Sequence, residues 1–479
     1  MKLSADQEQA LTLAGDWWAS SDKLTRPLVI TGAAGTGKST ILSSILQKIG
    51  ITEHNTMFVA TSATAVIHVH DKNKHAHAST IASFIKEHNE FIEIHDNDDE
   101  IVEIWTSGMS IVTSDIDGLN ADMIFSSGII KDGDIDTVDV AQLNLILNPL
   151  KFNAVRQQNF EIVDGKPVED YIHVVIVDEL GMVSDDEMTA ILAKKVPVIT
   201  TGDPYQLPPI GAERTHYITD VDYEFYHELT EIHRQSDDSG LITLANEARG
   251  GGHWKSKASE LAQAGASGII VLPSIANNAK ALAHADVILS PTNNGVMYFN
   301  KLLHEHFFGT DAPLSVGDKI VITSNSMARS DETGLPIVAN GQSGVVKRIH
   351  KAPWLTGRSA LMVDLEIDTM LLERVVVNTK YVDDPRISAY KLKDLSAEDL
   401  EIYRLRRSGT FRGSLEEHGA FLDEVVYLAY GYAMTIHRAQ GKEWNRVIFD
   451  TEMPRRMVAG SDELVYTAIT RAREQLLLI

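Results

Sequence analysis

Between the apolar run Leu28–Thr31 and the amphipathic stretch Lys38–Ile49 lies the octapeptide Gly32-Ala33-Ala34-Gly35-Thr36-Gly37-Lys38-Ser39. The run predicts a strand, the stretch predicts a helix, and the octapeptide between them matches a loop that wraps backbone N–H groups around phosphate oxygens. Glycines permit the wrap because no Cβ obstructs it. The helix N-terminus adds a dipole that favours an anion. Lys38 is expected to reach the β- and γ-phosphates of ATP, and Ser39 to offer its hydroxyl to Mg²⁺. Gly32, Ala33, Ala34, Gly35, Thr36, Gly37 and Thr40 complete the expected nucleotide contacts.

A strand–loop–helix unit of this kind belongs to a parallel sheet covered by helices on both faces. The rest of the chain alternates accordingly. Ser4–Trp18 reads as a helix capped by Ser4, Met57–Ala60 as a strand, and Ile172–Val177, Ser184–Leu192 and Val196–Thr200 as strand, helix and strand. Apolar strands recur at Val287–Ser290, Arg446–Phe449 and Gln475–Ile479. The fold class is therefore α/β, with two parallel-sheet domains. The first comprises 1–85 and 169–235, and the second 236–315 and 420–479. Residues 86–168 are an insertion in the first. Residues 316–419 hold short β-like runs (Lys319–Thr323, Gly344–Ile349, Ala360–Leu365) and read as an inserted, mostly β domain, a small barrel. No repeat of 20–50 residues is present.

Val174-Val175-Ile176-Val177-Asp178-Glu179 supplies a second half to the phosphate loop. Four apolar residues make a buried strand, and two carboxylates follow at its C-terminal end, the edge where open α/β sheets bind ligands. Asp178 is expected to hold Mg²⁺ and Glu179 to orient and deprotonate an attacking water. Thr201-Gly202-Asp203-Pro204-Tyr205-Gln206-Leu207 also follows an apolar strand, and Gln206 is a candidate sensor of the γ-phosphate.

Composition narrows the setting. The 479 residues contain no Cys, which excludes disulfides and thiolate metal sites and makes a reducing cytoplasm the expected compartment. No run of 18 apolar residues suggests a membrane span. The formal charge of −24 argues against a general nucleic-acid binder. It does not exclude a motor, which needs only a local groove of polar and basic groups.

In order along the chain, these motifs resemble those of superfamily 1 helicases, specifically the RecD-like branch and, within it, Dda-like phage helicases. Leu229-Thr230-Glu231-Ile232-His233-Arg234-Gln235, Ala433–Glu443 and Val465–Arg473 extend the match to the C-terminus. The resemblance implies ATP-driven movement on single-stranded DNA, 5′ to 3′, with strand separation at a fork and participation in replication, recombination or repair. It assigns Arg234 and Arg471 as arginine fingers, and Gln7 as the reader of adenine, although Ser4 and Gln7 also form a capping box. It places Gly441 and Glu443 near the nucleotide. Thr61, Ser62, Thr80, Thr292, Asn293, Thr435 and His437 fall where relatives touch the strand; hydroxyls and amides suit contact with phosphates and sugars rather than base edges. Two departures stand out: Thr61-Ser62 replaces the common Pro-Thr, and Thr80-Ile81-Ala82 lacks a common His.

Leu150–Val155 and Phe160–Val163 are expected to pair across Arg156–Asn159 as a pin hairpin, with Phe160 either a wedge at the fork or a residue packed under its own hairpin. Glu87–Val140 holds fifteen Asp and Glu against one Lys, which cannot lie along a phosphate backbone. It reads either as a folded appendage that docks a basic partner or mimics nucleic acid, or as a solubilising decoration. An RNA helicase and the motor subunit of a recombination nuclease remain alternatives, as does an ATP-gated module that docks a replisome without unwinding. The expected partners are single-stranded and forked DNA, together with a replisome or single-strand-binding protein. A working monomer is expected, in a bacterial host's cytoplasm if the chain is phage-encoded.

Overall fold

The computed structural model describes residues 3–72, 77–95, 101–106, 153–162, 168–209, 211–231, 240–272, 279–326, 337–352, 359–368, 370–384, 386, 425–451 and 462–479. It divides into two compact units, residues 1–80 with 168–479 and residues 81–167.

The larger unit begins with a lobe built on six parallel strands. These are β1 (Leu28–Gly32), β2 (Thr56–Ala60), β3 (His77–Thr80), β7 (Val174–Val177), β8 (Val198–Gly202) and β9 (Tyr226–Leu229), ordered β3-β2-β7-β8-β1-β9. The phosphate loop thus leaves the strand flanked by β8 and β9, where the direction of winding reverses. Helix α1 (Ala5–Ala19) starts at Ser4, whose hydroxyl accepts from the Gln7 amide while the Gln7 side chain accepts from the Ser4 amide. Its Ala10, Ala14 and Trp17 are buried at helical spacing, and the Trp17 indole donates to the Arg26 carbonyl at 2.8 Å. Helix α2 (Lys38–Ile49) buries Ile41, Leu42, Ile45, Leu46 and Ile49 on one face and stops at Gly50, which takes a left-handed conformation at φ 74°. Each such side chain, fully buried, contributes about 1.5–3 kcal/mol. Helix α3 (Ala63–Lys72) follows β2. Helix α5 (Asp185–Leu192) has a second capping box, from Ser184 and Glu187.

The second lobe carries five parallel strands, β10 (Ile269–Val271), β11 (Val287–Ser290), β17 (Ala433–Thr435), β18 (Trp444–Phe449) and β19 (Ala472–Leu478), ordered β10-β19-β18-β11-β17. Helices α6 (Gly240–Arg249), α7 (Trp254–Gln263), α8 (Ala279–Leu282), α9 (Asn293–Phe308) and α10 (Asp462–Ile469) belong to it. A closed barrel interrupts this lobe, formed by β12 (Lys319–Ile322), β13 (Ser343–His350), β14 (Ala360–Ile367), β15 (Met370–Asn378) and β16 (Val425–Tyr430). All its neighbours run antiparallel except β15 and β16. The barrel reaches Tyr430, eleven residues beyond the boundary expected at 419. Val426, Leu428 and Tyr430 bury their side chains with Ile320, Val363 and Leu372, so the apolar alternation of this strand serves the barrel rather than the lobe.

The smaller unit contains α4 (Ile81–Ile85) and a three-stranded antiparallel sheet of β4 (Lys86–His95), β5 (Ile101–Thr106) and β6 (Asn153–Ile162), with β4 in the centre. Here the expected pin hairpin fails. Arg156–Asn159 do not turn but lie inside β6, paired with Glu90–Ile92 and Asn89 of β4 across a continuous ten-residue register. Residues on either side of the supposed turn satisfy their backbone groups against β4, a long-range partner that local pattern could not disclose. Phe160 stands opposite His88 in that register. Of the acidic stretch, β5 and most of β4 are described; residues 96–100 and 107–140 lie outside the described residues.

Candidate active site

In the first lobe every strand runs the same way, so loops leaving the C-terminal ends gather on one edge. The phosphate loop leaves β1, Asp178 and Glu179 leave β7, Asp203 and Gln206 leave β8, and Thr61 and Ser62 leave β2. Residues separated by 170 positions in sequence thereby converge.

Gly37 sits at φ 86° just before α2, a left-handed position that favours glycine. Gly32 admits no side chain, since a Cβ there would meet Thr36 Oγ1 at 2.6 Å and the Leu229 carbonyl at 2.8 Å. Buried Thr36 ties the loop internally, donating to the Ala33 carbonyl at 2.9 Å. The Lys38 ammonium lies over the loop and donates to the carbonyls of Gly32 (2.7 Å) and Ala33 (3.0 Å). Ser39 and Thr40 are exposed on the first turn of α2. Gln7 is buried, and besides its capping role its amide reaches the Thr36 carbonyl at 3.5 Å.

Asp178 Oδ1 accepts from the Thr201 hydroxyl at 2.5 Å and from the Glu179 amide at 3.0 Å. Glu179 adopts a left-handed backbone at φ 57°, strained for a residue with a Cβ. Burial, reinforced by the neighbouring Asp178 charge, pushes the Glu179 carboxyl up to about 7, against the pull of Lys38 and Arg471. A carboxylate titrating there is poised to take a proton near neutral pH.

Asp203 is buried and fully engaged. Oδ1 accepts from the Tyr205 amide at 3.1 Å, and Oδ2 accepts from the Gln206 side chain at 3.4 Å and from the Tyr466 hydroxyl at 2.8 Å. Tyr466 belongs to α10 of the second lobe. Next to it, Thr467 Oγ1 accepts from the Leu207 amide at 3.1 Å, and Gln440 Nε2 donates to the Leu207 carbonyl at 3.2 Å. The Leu207 side chain packs with Leu244, Phe449 and Tyr466 in the second lobe's core. The loop that follows β8 is therefore held by both lobes.

Arg471 follows α10 and is buried. It donates to the carbonyls of Thr467 (3.0 Å) and Lys442 (3.1 Å) and to the Thr470 hydroxyl (2.9 Å). Burial lowers its pKa, while Glu179 and Asp203 oppose that shift by attraction; its charge is felt in the cleft from across the junction. Arg234 lies outside the described residues. Glu443 forms an ion pair with Arg473 at 3.2 Å, and Gly441 turns the chain at φ 72°.

The residues assigned to strand contact occupy the C-terminal edges of both sheets. Ser62 Oγ accepts from the Ala65 amide at 3.2 Å, capping the start of α3. Thr292 Oγ1 accepts from the Gly295 amide at 3.1 Å at the start of α9, whose first residue is the exposed Asn293. Thr435 stands opposite Ser290 in the pairing of β17 with β11, and its hydroxyl accepts from the Arg438 amide at 3.4 Å. Burial lowers the His437 pKa, which favours a neutral ring at neutral pH. Thr61 donates to Met182 Sδ at 3.8 Å, and Thr80 ends β3.

Sequence reasoning missed Tyr466, Thr467, Gln440 and Leu207 as ties between the lobes. Thr467 and Arg471 are four residues apart, so helical spacing carried a partial signal. The partner across the cleft left none.

The AAA domain profile covers residues 2–266 of this chain, more than half of it. The chain belongs to the AAA domain family. Residues 430–479 match the UvrD-like helicase C-terminal domain. A 55-residue segment, 11% of the chain, is 49% identical to the ATP-dependent RecD2 DNA helicase of Deinococcus radiodurans, and the match spans 7% of that protein's length. Among solved structures, Bacteroides Pif1 bound to ssDNA aligns over 100% of this chain and 92% of that one, at 16% identity and a TM-score of 0.49. Pif1 helicase from Candida albicans aligns over 100% and 94%, at 16% identity and a TM-score of 0.48. No described helix of this AAA domain protein is long and apolar enough to cross a membrane.

Proposed function

We propose that this chain is an ATP-dependent DNA helicase that translocates 5′ to 3′ on single-stranded DNA, of the RecD-like branch and its Dda-like phage type. The observation that carries the reading is the convergence of Lys38, Glu179, Asp203 and Arg471 where two parallel-sheet lobes meet, with Tyr466 bonded to Asp203 across the junction. A nucleotide held by one lobe and sensed by charges of the other is the arrangement that turns hydrolysis into relative movement.

In this reading the phosphate-loop amides and Lys38 bind the triphosphate. Glu179 accepts the proton of the attacking water. Gln206 reports the γ-phosphate to Asp203 and hence to Tyr466. Arg471 and Arg234 stabilise charge gathering on the transferred phosphoryl group. Ser39 and Asp178 offer hard oxygen donors that suit Mg²⁺ and would hold it, and Asp178 is itself oriented by the Thr201 hydroxyl and the Glu179 amide, which both donate to Oδ1. Held there, the ion would supply positive charge that offsets the charge of the phosphates. Gly441 and Glu443 would border the nucleotide on the second lobe's side.

The strand would run over the C-terminal edges of both sheets, touching Thr61, Ser62 and Thr80 on the first lobe and Thr292, Asn293, Thr435 and His437 on the second. Phe160 would act at the fork from within β6 rather than beside a hairpin turn. The protein would work as a monomer in the host cytoplasm, with a replisome or single-strand-binding protein as partner.

Strand displacement on duplexes with 5′ or 3′ tails, with and without ATP, tests the reading. Unwinding of the 5′-tailed DNA alone is expected. Equal or better activity on RNA duplexes would transfer the reading to an RNA helicase, and ATP hydrolysis without displacement would leave an ATP-gated docking module.

A further inference from the structure

Arg249, the last residue of α6, has no part in the chemistry assigned above, yet it is a second-lobe cation pressed onto the first. Its guanidinium carbon lies 3.8 Å from the centre of the Tyr205 ring, and Nη2 donates to Glu228 of β9. Both partners belong to the first lobe, and both adjoin working parts of the site. The Tyr205 amide bonds to Asp203 and its neighbour is Gln206. Glu228 precedes Leu229, whose carbonyl closes over Gly32. The Arg249 and Glu228 side chains are each only 25% exposed, so the pair is partly shielded from water and holds more firmly than a surface ion pair.

We propose that Arg249 is a positioning residue that keeps the Asp203–Leu207 loop in register with the second lobe, so that loss of the γ-phosphate at the first lobe is felt by the second. The inference rests on the nucleotide-driven motor reading above. Its physical requirement is a planar cation. A planar, forked guanidinium can cover the Tyr205 ring and pair with Glu228 at once, whereas an ammonium, a compact point charge, satisfies both partners less completely. The contact is therefore a joint with two components: a stack that fixes orientation and an ion pair that fixes distance.

Because the chain has no Cys, Val221→Cys in the first lobe and Tyr298→Cys in the second, both at exposed positions, give a clean pair of dye sites in the full-length protein. Energy transfer between them would be read with oligo-dT and a non-hydrolysable ATP analogue, alongside steady-state ATP hydrolysis. The Arg249→Ala variant should broaden the distance distribution and lower single-strand-stimulated kcat about tenfold, with KM for ATP changed less than about twofold. Arg249→Lys should regain part of both. Wild-type distances and kcat in Arg249→Ala would overturn the proposal, as would a rise in KM matching the fall in kcat. An unmutated protein that hydrolyses no ATP would defeat the motor reading instead, and the distance measurement would still decide whether Arg249 holds the lobes in register.

Discussion

The Tyr466 hydroxyl donates to Asp203 Oδ2 at 2.8 Å, joining the last helix of the second lobe to the loop that leaves β8 of the first. Asp203 is 1% exposed, so its oxygens find their hydrogen bonds within the protein. Tyr466→Phe would leave the carboxylate one donor short at the junction. A loss of about 1–3 kcal/mol is expected for an under-satisfied buried acceptor, together with weaker DNA stimulation of hydrolysis. Chemical denaturation beside ATPase assays measures both; wild-type values in both would show that the bond is incidental.

Lys38→Ala should abolish hydrolysis and leave the fold intact. Among the described residues the ammonium bonds to the carbonyls of Gly32 and Ala33 in its own loop, so few contacts are lost elsewhere. Purified mutant protein with normal DNA-stimulated turnover would remove the phosphate loop from the mechanism.

Glu179 links activity and stability to pH with opposite signs. As the proton acceptor it must be ionised, so the hydrolysis rate should climb as pH rises through about 7. For stability, the folded carboxyl holds its proton up to about 7 while the unfolded one releases it near 4.5. The native state therefore binds more protons within that window, and stability falls as pH rises across it. Glu179→Gln should bind ATP and DNA, hydrolyse slowly, and gain more in Tm at pH 8 than at pH 5. Equal Tm changes at both pH values would mean the carboxyl ionises normally.

Arg471→Ala and Arg234→Ala should each lower the hydrolysis rate by roughly 10³-fold or more while reducing ATP affinity less, as expected for charge stabilisation at the γ-phosphate. Single-turnover assays with separately measured nucleotide binding separate the two effects. An unchanged rate in either variant removes that arginine from the finger role. Arg471 also carries three hydrogen bonds within its lobe, so Arg471→Lys is the control for packing.

Replacing Glu87–Val140 with a short Gly/Ser linker tests the acidic stretch. This removes β5 and most of β4, so the smaller unit should lose its sheet. Single-strand-stimulated hydrolysis should survive if the segment lies off the strand's track. A folded deletion protein that no longer binds single strands would place the segment on it.

Local chemistry made much of this molecule legible in advance. The octapeptide at Gly32, the apolar run before Asp178, and the capping box at Ser4 each specify their structure within a few residues, because hydrogen bonds and φ preferences act over that range. The sequence alone therefore determined two parallel-sheet lobes, a barrel and a phosphate loop at the edge of the first sheet. Three things were decided only by tertiary structure. Arg156–Asn159 became strand because β4 offered backbone partners. Val425–Tyr430 joined the barrel because Val426, Leu428 and Tyr430 fill that core. Asp203, Leu207, Tyr205 and Glu228 found Tyr466, Thr467, Gln440 and Arg249 because folding brings two lobes edge to edge. Contacts between residues some 20 to 260 positions apart leave no periodicity behind, and their energies depend on burial that exists only once the chain has closed around them.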